Sequence, residues 1–141
     1  MALKSLLTAL YSRFTATSGS PATHNSLYTA LSGHLYNTVA PQKATLPYGV
    51  FLLVSGVPEW TFTENMENCL IQFSLFDDST SASNICDAYD ALTALYDDCQ
   101  LTISGYSHLY MQRQSQQLIR EEEDPGTWHY IIEYRIMMEK S

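Results

Sequence analysis

A chain of 141 residues with 45% apolar content has room for one domain, 1–141, with a core of ordinary size. Its net charge is −8, and no Lys or Arg occurs between Lys43 and Arg113, an interval that holds nine acidic residues. That excludes a protein that grips nucleic acid through its phosphates, a task for Lys and Arg. The longest apolar run, Tyr48 to Val57, also falls far short of the ~20 residues a membrane span requires.

Leu3, Leu6, Leu7, Leu10 and Phe14 recur at helical spacing and predict an amphipathic helix over 3–16. The same stretch lacks the unbroken apolar run of a signal peptide, so a soluble protein without an export signal of its own is expected. Ser18, Gly19, Ser20 and Pro21 mark a loop over 15–23. Asn25 or Ser26 can cap a short helix to Leu31, which Ser32 and Gly33 end. Leu35 to Val39 predicts a short strand, and 40–44 a loop. Pro47 and Tyr48 open an apolar strand over 49–55, which Gly56, Val57 and Pro58 break. Glu59 to Met66, with Trp60 and Phe62, is either a wide hairpin loop or an extension of two strands. Glu67 to Phe76 is a strand with Cys69, Ile71, Phe73 and Leu75 on one face. Leu70 and Phe76 on the other face suggest a central strand covered on both sides.

Ile85, Ala88, Tyr89, Leu92, Leu95, Tyr96 and Cys99 then form one apolar stripe at helical spacing. Ser79, Thr80 or Ser81 can accept from the free amides of its first turn, and Asp77 and Asp78 suit the positive end of its dipole. Asp87, Asp90, Asp97 and Asp98 fall mostly on the opposite side. Asp97 and Asp98 sit at the helix C-terminus, where each negative charge costs about 0.3–1 kcal/mol. Either the last turn frays into water, or these carboxylates meet a cation or a partner's Arg. Leu101 to Ser104 predicts a strand leaving the helix.

A long hairpin follows, with arms over 106–120 and 127–139 and a turn at Asp124, Pro125, Gly126 and Thr127. Trp128, Tyr130, Ile132, Tyr134, Ile136 and Met138 share one face of the second arm. The first arm becomes polar on both faces from Gln112 to Gln117. An arm of thirteen residues spans about 43 Å, so the tip, with Glu121, Glu122, Glu123 and Asp124, is expected to project into solvent or onto a neighbouring subunit. The pattern as a whole predicts helices with one apolar face packed on a sheet, plus a long projecting C-terminal β-hairpin.

The sequence offers no catalytic constellation and no phosphate-binding glycine motif. Gly105, Ser107 and Leu109 begin like a nucleophile elbow but lack its second glycine. His24, His34, His108 and His129 lack metal-ligand spacing. Pairing the hairpin about its turn puts His129 near Glu122 and His108 past the end of the opposite arm. Cys69, Cys86 and Cys99 form no C-x-x-C pair and read as buried small hydrophobes in a reducing compartment. No catalytic, cofactor-binding or metal-binding residue is expected, and no cofactor.

The run Leu35-Tyr-Asn-Thr-Val-Ala-Pro41-Gln-Lys-Ala-Thr-Leu-Pro47-Tyr48, followed by an apolar strand, resembles a family of tail-completion proteins of long-tailed bacteriophages. The polar-capped helix after Phe73-Ser-Leu-Phe76, then Gly105-Tyr106, then the hairpin ending His129-Tyr-Ile-Ile-Glu-Tyr-Arg135, looks like the same family. The likeness runs from about Asn25 to Glu139, and it implies an α+β fold, a mixed, mainly antiparallel sheet with two to three helices packed on it. The resemblance implies a tail terminator: a non-enzymatic virion protein at the head-proximal end of the tail, present in the host cytoplasm during assembly. Such proteins form a hexameric ring that caps the tail tube, stops its polymerisation and joins it to the head-side connector. The partners implied are further copies of the chain, the tail tube protein and the connector or stopper. DNA passes through the lumen without specific binding, and no membrane is involved. The alternative is another connector component, either a head-side stopper or a minor tail tube subunit. On this reading Asp87, Asp90, Asp97 and Asp98 face the lumen, while Glu121, Glu122, Glu123 and Asp124 make a subunit or tube contact.

Overall fold

The computed structural model describes residues 3–41, 43–60, 64–121 and 126–140. The N-terminal apolar spacing gives helix α1 (Leu3–Thr15), with Leu6, Leu10 and Phe14 fully buried. The loop after it carries a small antiparallel ladder, β1 (Thr17–Ser18) with β2 (Thr23–His24). Helix α2 (Ser26–Ala30) is capped by Asn25, whose side chain accepts from the Tyr28 amide at 2.9 Å and donates to the Phe14 carbonyl at 2.8 Å. One side chain therefore serves the start of α2 and the end of α1. Ser32 and Gly33, both at positive φ, turn the chain out of α2.

The main sheet has five strands: β3 (Leu35–Asn37), β4 (Tyr48–Trp60), β5 (Asn65–Asp77), β6 (Tyr106–Glu121) and β7 (Thr127–Lys140). Their order is β3-β4-β5-β7-β6. The sheet is mixed, with β3 and β4 parallel and the other neighbours antiparallel. Helix α3 (Ser83–Tyr96) joins β5 to the second hairpin. Helices α1, α2 and α3 lie on one face. Phe51, Ile71, Phe73, Leu75, Ile132, Tyr134 and Ile136 point there and share one core with Leu6, Leu10, Phe14, Leu27, Leu92 and Tyr96. Phe73 anchors it, its ring 4.7 Å from that of Tyr96 and 5.8 Å from that of Tyr134. The Tyr96 hydroxyl donates to the Leu10 carbonyl at 2.8 Å, tying α3 to α1. β5 is central, but among the described residues no helix covers its second face, so Leu70 and Phe76 are half-buried instead of enclosed.

Three local expectations are corrected. Gly56, Val57 and Pro58 do not break the strand, since β4 pairs with β5 as far as Trp60 against Asn65. The reason is geometric. Gly49 and Phe51 direct their backbone groups to the β3 side, with Gly49 N–H donating to His34 O and Phe51 O accepting from Thr38 N–H. Carrying that alternation through the bulge at 53/55 puts the Pro58 nitrogen on the open side, where no ladder bond is lost. Leu101 to Ser104 is not a strand. A single bridge joins Ile103 to Tyr106, while Leu101 and Ile103 plug the core beyond the end of α3. The C-terminal hairpin does not project as a free ribbon either. β7 pairs with β5 from Trp128 against Asp77 to Glu139 against Met66. The sheet is long enough to hold it because β4 and β5 are themselves 13 residues each.

The α3 start uses Ser81, whose Oγ accepts from the Ser83 amide at 3.2 Å, although the capping position itself is Ala82. Cys69 and Cys99 are buried as expected, whereas Cys86 lies on the exposed side of α3.

Candidate assembly surfaces

The carboxylates singled out at the end of α3 do not behave alike. Asp97 ends the helix in an extended conformation and accepts from the Tyr134 hydroxyl at 2.6 Å. Its other oxygen lies 3.4 Å from the Arg113 guanidinium on β6. The cation that Asp97 meets is thus supplied by its own chain. Arg113 also donates to the Tyr89 hydroxyl and lies 5.7 Å from the centre of that ring, which stacks on Tyr130 at 4.3 Å. Burial, and then the neighbouring Asp97 carboxylate, push the Tyr134 pKa well above the usual tyrosine value. Asp98 takes a positive φ and uses its backbone N–H to reach the Met111 carbonyl at 3.0 Å, stitching the helix end to β6.

Asp87, Asp90 and Asp98 are exposed, and among the described residues no cation pairs with them. Asp87 and Asp90 are three apart on α3 and share its solvent side. The structure therefore gathers Asp87 and Asp90 on one exposed helix face, leaves Asp98 exposed at its end, and commits Asp97 to an internal contact. Sequence reasoning missed Arg113 and Tyr134. The one available signal was that Arg113 is the first cation after Lys43.

At the tip of the β6–β7 hairpin, Glu121 forms the last pair with Thr127 and is exposed. Glu122, Glu123 and Asp124 lie outside the described residues. The root of the tip is fastened to the loop before α3, because the Arg120 guanidinium and the Trp128 indole both donate to the Ser79 carbonyl, at 3.2 and 3.0 Å. Arg120 also stacks 4.9 Å over the Trp128 ring. His129 pairs across from Ile119, with its Nδ1 3.5 Å from Glu121, and His108 sits within the ladder opposite Met138. His129 differs from the simple count about the turn because the pairing begins at Glu121 with Thr127, and His108 is displaced further because β6 carries bulges at 108/110 and 113/115. Burial lowers the pKa of each histidine, and both ring nitrogens of His108 are buried without a hydrogen-bond partner among the described residues.

Among the described residues no group of three or more His, Cys, Asp or Glu is placed to hold a metal ion, and no helix is long and apolar enough to cross a membrane. What the surface does offer is exposed apolar area. Val54, Val57 and Trp60 stand out from the far half of β4, and Tyr11 stands out from α1. A groove of about 690 Å³ runs between α1 and the β3–β4 edge.

No protein-family model matches this chain, and no curated protein sequence does. Among solved structures, a chain in the virion of a native gene transfer agent particle is similar in fold, with a TM-score of 0.78 at 15% identity. The likeness spans 97% of this chain and 96% of that one, so it takes in helices, sheet and both hairpins together.

Proposed function

We propose that this chain is a structural protein of a phage-like virion, and within it the tail terminator. The observation that carries the reading is the end-to-end likeness of fold to a chain of a gene transfer agent virion, at a TM-score of 0.78. The run from Leu35 to Tyr48 and the C-terminal hairpin support the finer assignment, through their resemblance to phage tail-completion proteins. In this role six copies close into a ring on the tail tube, stop its growth and receive the head-side connector. A ring needs one heterologous contact repeated around an axis, and the exposed apolar side chains of β4 and α1 supply surface for it. Asp87, Asp90 and Asp98 face the lumen and keep DNA from adhering to the wall by charge repulsion. Asp97 holds the end of α3 in place. The acidic hairpin tip makes the contact with a neighbouring subunit or the tube.

Light scattering of the purified protein across a concentration series tests the ring. A closed species near six subunits is expected, with added protein halting tail tube polymerisation. A species that grows without limit is the behaviour of a tube subunit and refutes the terminator. Charge reversal at Asp87 and Asp90 should leave the ring intact and lower DNA delivery. Normal delivery by such particles would remove those residues from the lumen. Replacing residues 120–126 with a two-residue turn should abolish assembly while the monomer still folds, and an unchanged oligomer would remove the tip from the contact.

A further inference from the structure

We infer that the far half of β4 inserts Trp60 into the groove between α1 and the β3–β4 edge of a second copy of this chain. The inference rests on the ring reading and names its contact. Trp60 is 71% exposed and Val57 52%, an unusual placement for apolar side chains in a strand that is well paired on its other side. Indole side chains that anchor interfaces stand out in this way before they bind. The groove is the apolar counterpart, with Leu7, Tyr11, Tyr36 and Phe51 on its walls. Trp60 cannot occupy the groove of its own chain. Phe51 lines the groove, and the nine residues of strand from Phe51 to Trp60 separate the two by about 30 Å. The occupant is therefore supplied in trans.

Charge selects the same pairing. Lys4 is the charged residue lining the groove, it is exposed, and it has no ion-pair partner among the described residues. Glu59 precedes Trp60 and, among the described residues, meets only the neutral Asn68 amide, at 3.2 Å. Two copies of a chain with net charge −8 repel at most orientations. An orientation that sets Glu59 beside Lys4 relieves part of that repulsion while Trp60 leaves water.

The test uses the full-length protein and three sets of variants, each checked for an unchanged urea midpoint. Trp60→Asp disables the arm and Leu7→Glu disables the groove. Each alone should raise the dissociation constant of the assembly by about 30-fold or more, the range of a hot-spot residue. Mixed one to one, they should form a heterodimer that goes no further, because one intact arm and one intact groove remain. Lys4→Glu and Glu59→Lys should each weaken association, and the double exchange should restore it. Variants that assemble like wild type, or a mixture that stays monomeric, overturn this contact while leaving the ring reading standing. A wild-type dimer that both variants break keeps the contact and overturns the ring. A wild-type chain that stays monomeric overturns both.

Discussion

Tyr134→Phe removes one oxygen from a residue with no exposed surface, and its consequences can be worked out from the contact with Asp97. The hydroxyl donates to a carboxylate at 2.6 Å, and hydrogen bonds to charged groups contribute about 1.5–3 kcal/mol. Asp97 is one-third exposed at its side chain, so water screens the bond and the lower part of that range applies. A loss of about 1.5 kcal/mol is expected, equivalent to a fall of about 5 °C in Tm for a chain of this size. Asp97→Ala should cost a similar amount, because it strands the buried hydroxyl and frees Arg113, offset in part by removing a charge from the negative end of α3. The double variant should cost much less than the sum, with a coupling of about 1 kcal/mol. Urea titrations of the four proteins, at a concentration where each is monomeric, give that coupling. The alkaline limb adds an independent check. The native Tyr134 pKa is raised, so above pH ~10 the unfolded chain ionises while the native tyrosine does not. Stability is then lost as pH rises, and Tyr134→Phe should flatten that loss. A coupling within about 0.3 kcal/mol of zero, with an unaltered alkaline limb, would refute the account of how α3 is ended.

Other perturbations test the core and the turns. Phe73→Ala, at the meeting point of the Phe51, Tyr96 and Tyr134 rings, should cost about 3–5 kcal/mol in urea unfolding. A cost below 2 would mean that the rings do not form one packed unit. His108 has a lowered native pKa, so the unfolded chain takes up its proton first as pH falls below about 6.5. Stability is then lost on the acid side, and His108→Phe should make the acid limb shallower by up to one proton. An unchanged limb would show that His108 is not titrating out of the core. Gly33→Ala and Gly105→Ala both force a side chain onto positive φ, but only at Gly33 does the new Cβ meet an atom, the Tyr28 ring at 3.0 Å. Both should destabilise by about 1 kcal/mol from backbone strain, with Gly33→Ala measurably worse. Equal costs would show that the Tyr28 ring gives way freely.

Elements whose signal is local were legible in the sequence, and features set by distant partners were not. The stripe from Ile85 to Tyr96 and the alternation from Trp128 to Met138 each carry their own period, and both elements form where that period puts them. The capping of α2 by Asn25 is equally local. The partner of Asp97 was not legible, because Arg113 reaches it through a β6 register shifted by a bulge that no spacing rule announces. The hairpin length was read correctly and its placement was not. That an arm is long says nothing about whether another long strand lies beside it, and here β5 does.

The β4 strand carries this distinction into function. Gly56, Val57 and Pro58 are a local instruction to stop, yet the strand continues to Trp60. It can continue because the Pro58 nitrogen faces the side on which β4 has no neighbour beyond Phe51 among the described residues. The same proline blunts that edge against strand addition by another chain. A second copy must then be recognised through side chains, and the side chains on offer, Val54, Val57 and Trp60, are apolar and exposed. Natural sequences break a local rule mainly where the site has work to do. A strand that overrides its own stop signal, closes its edge to backbone pairing and still presents an indole to solvent meets that description. The conflict between local sequence and final structure falls on the residues that the proposed contact between copies requires.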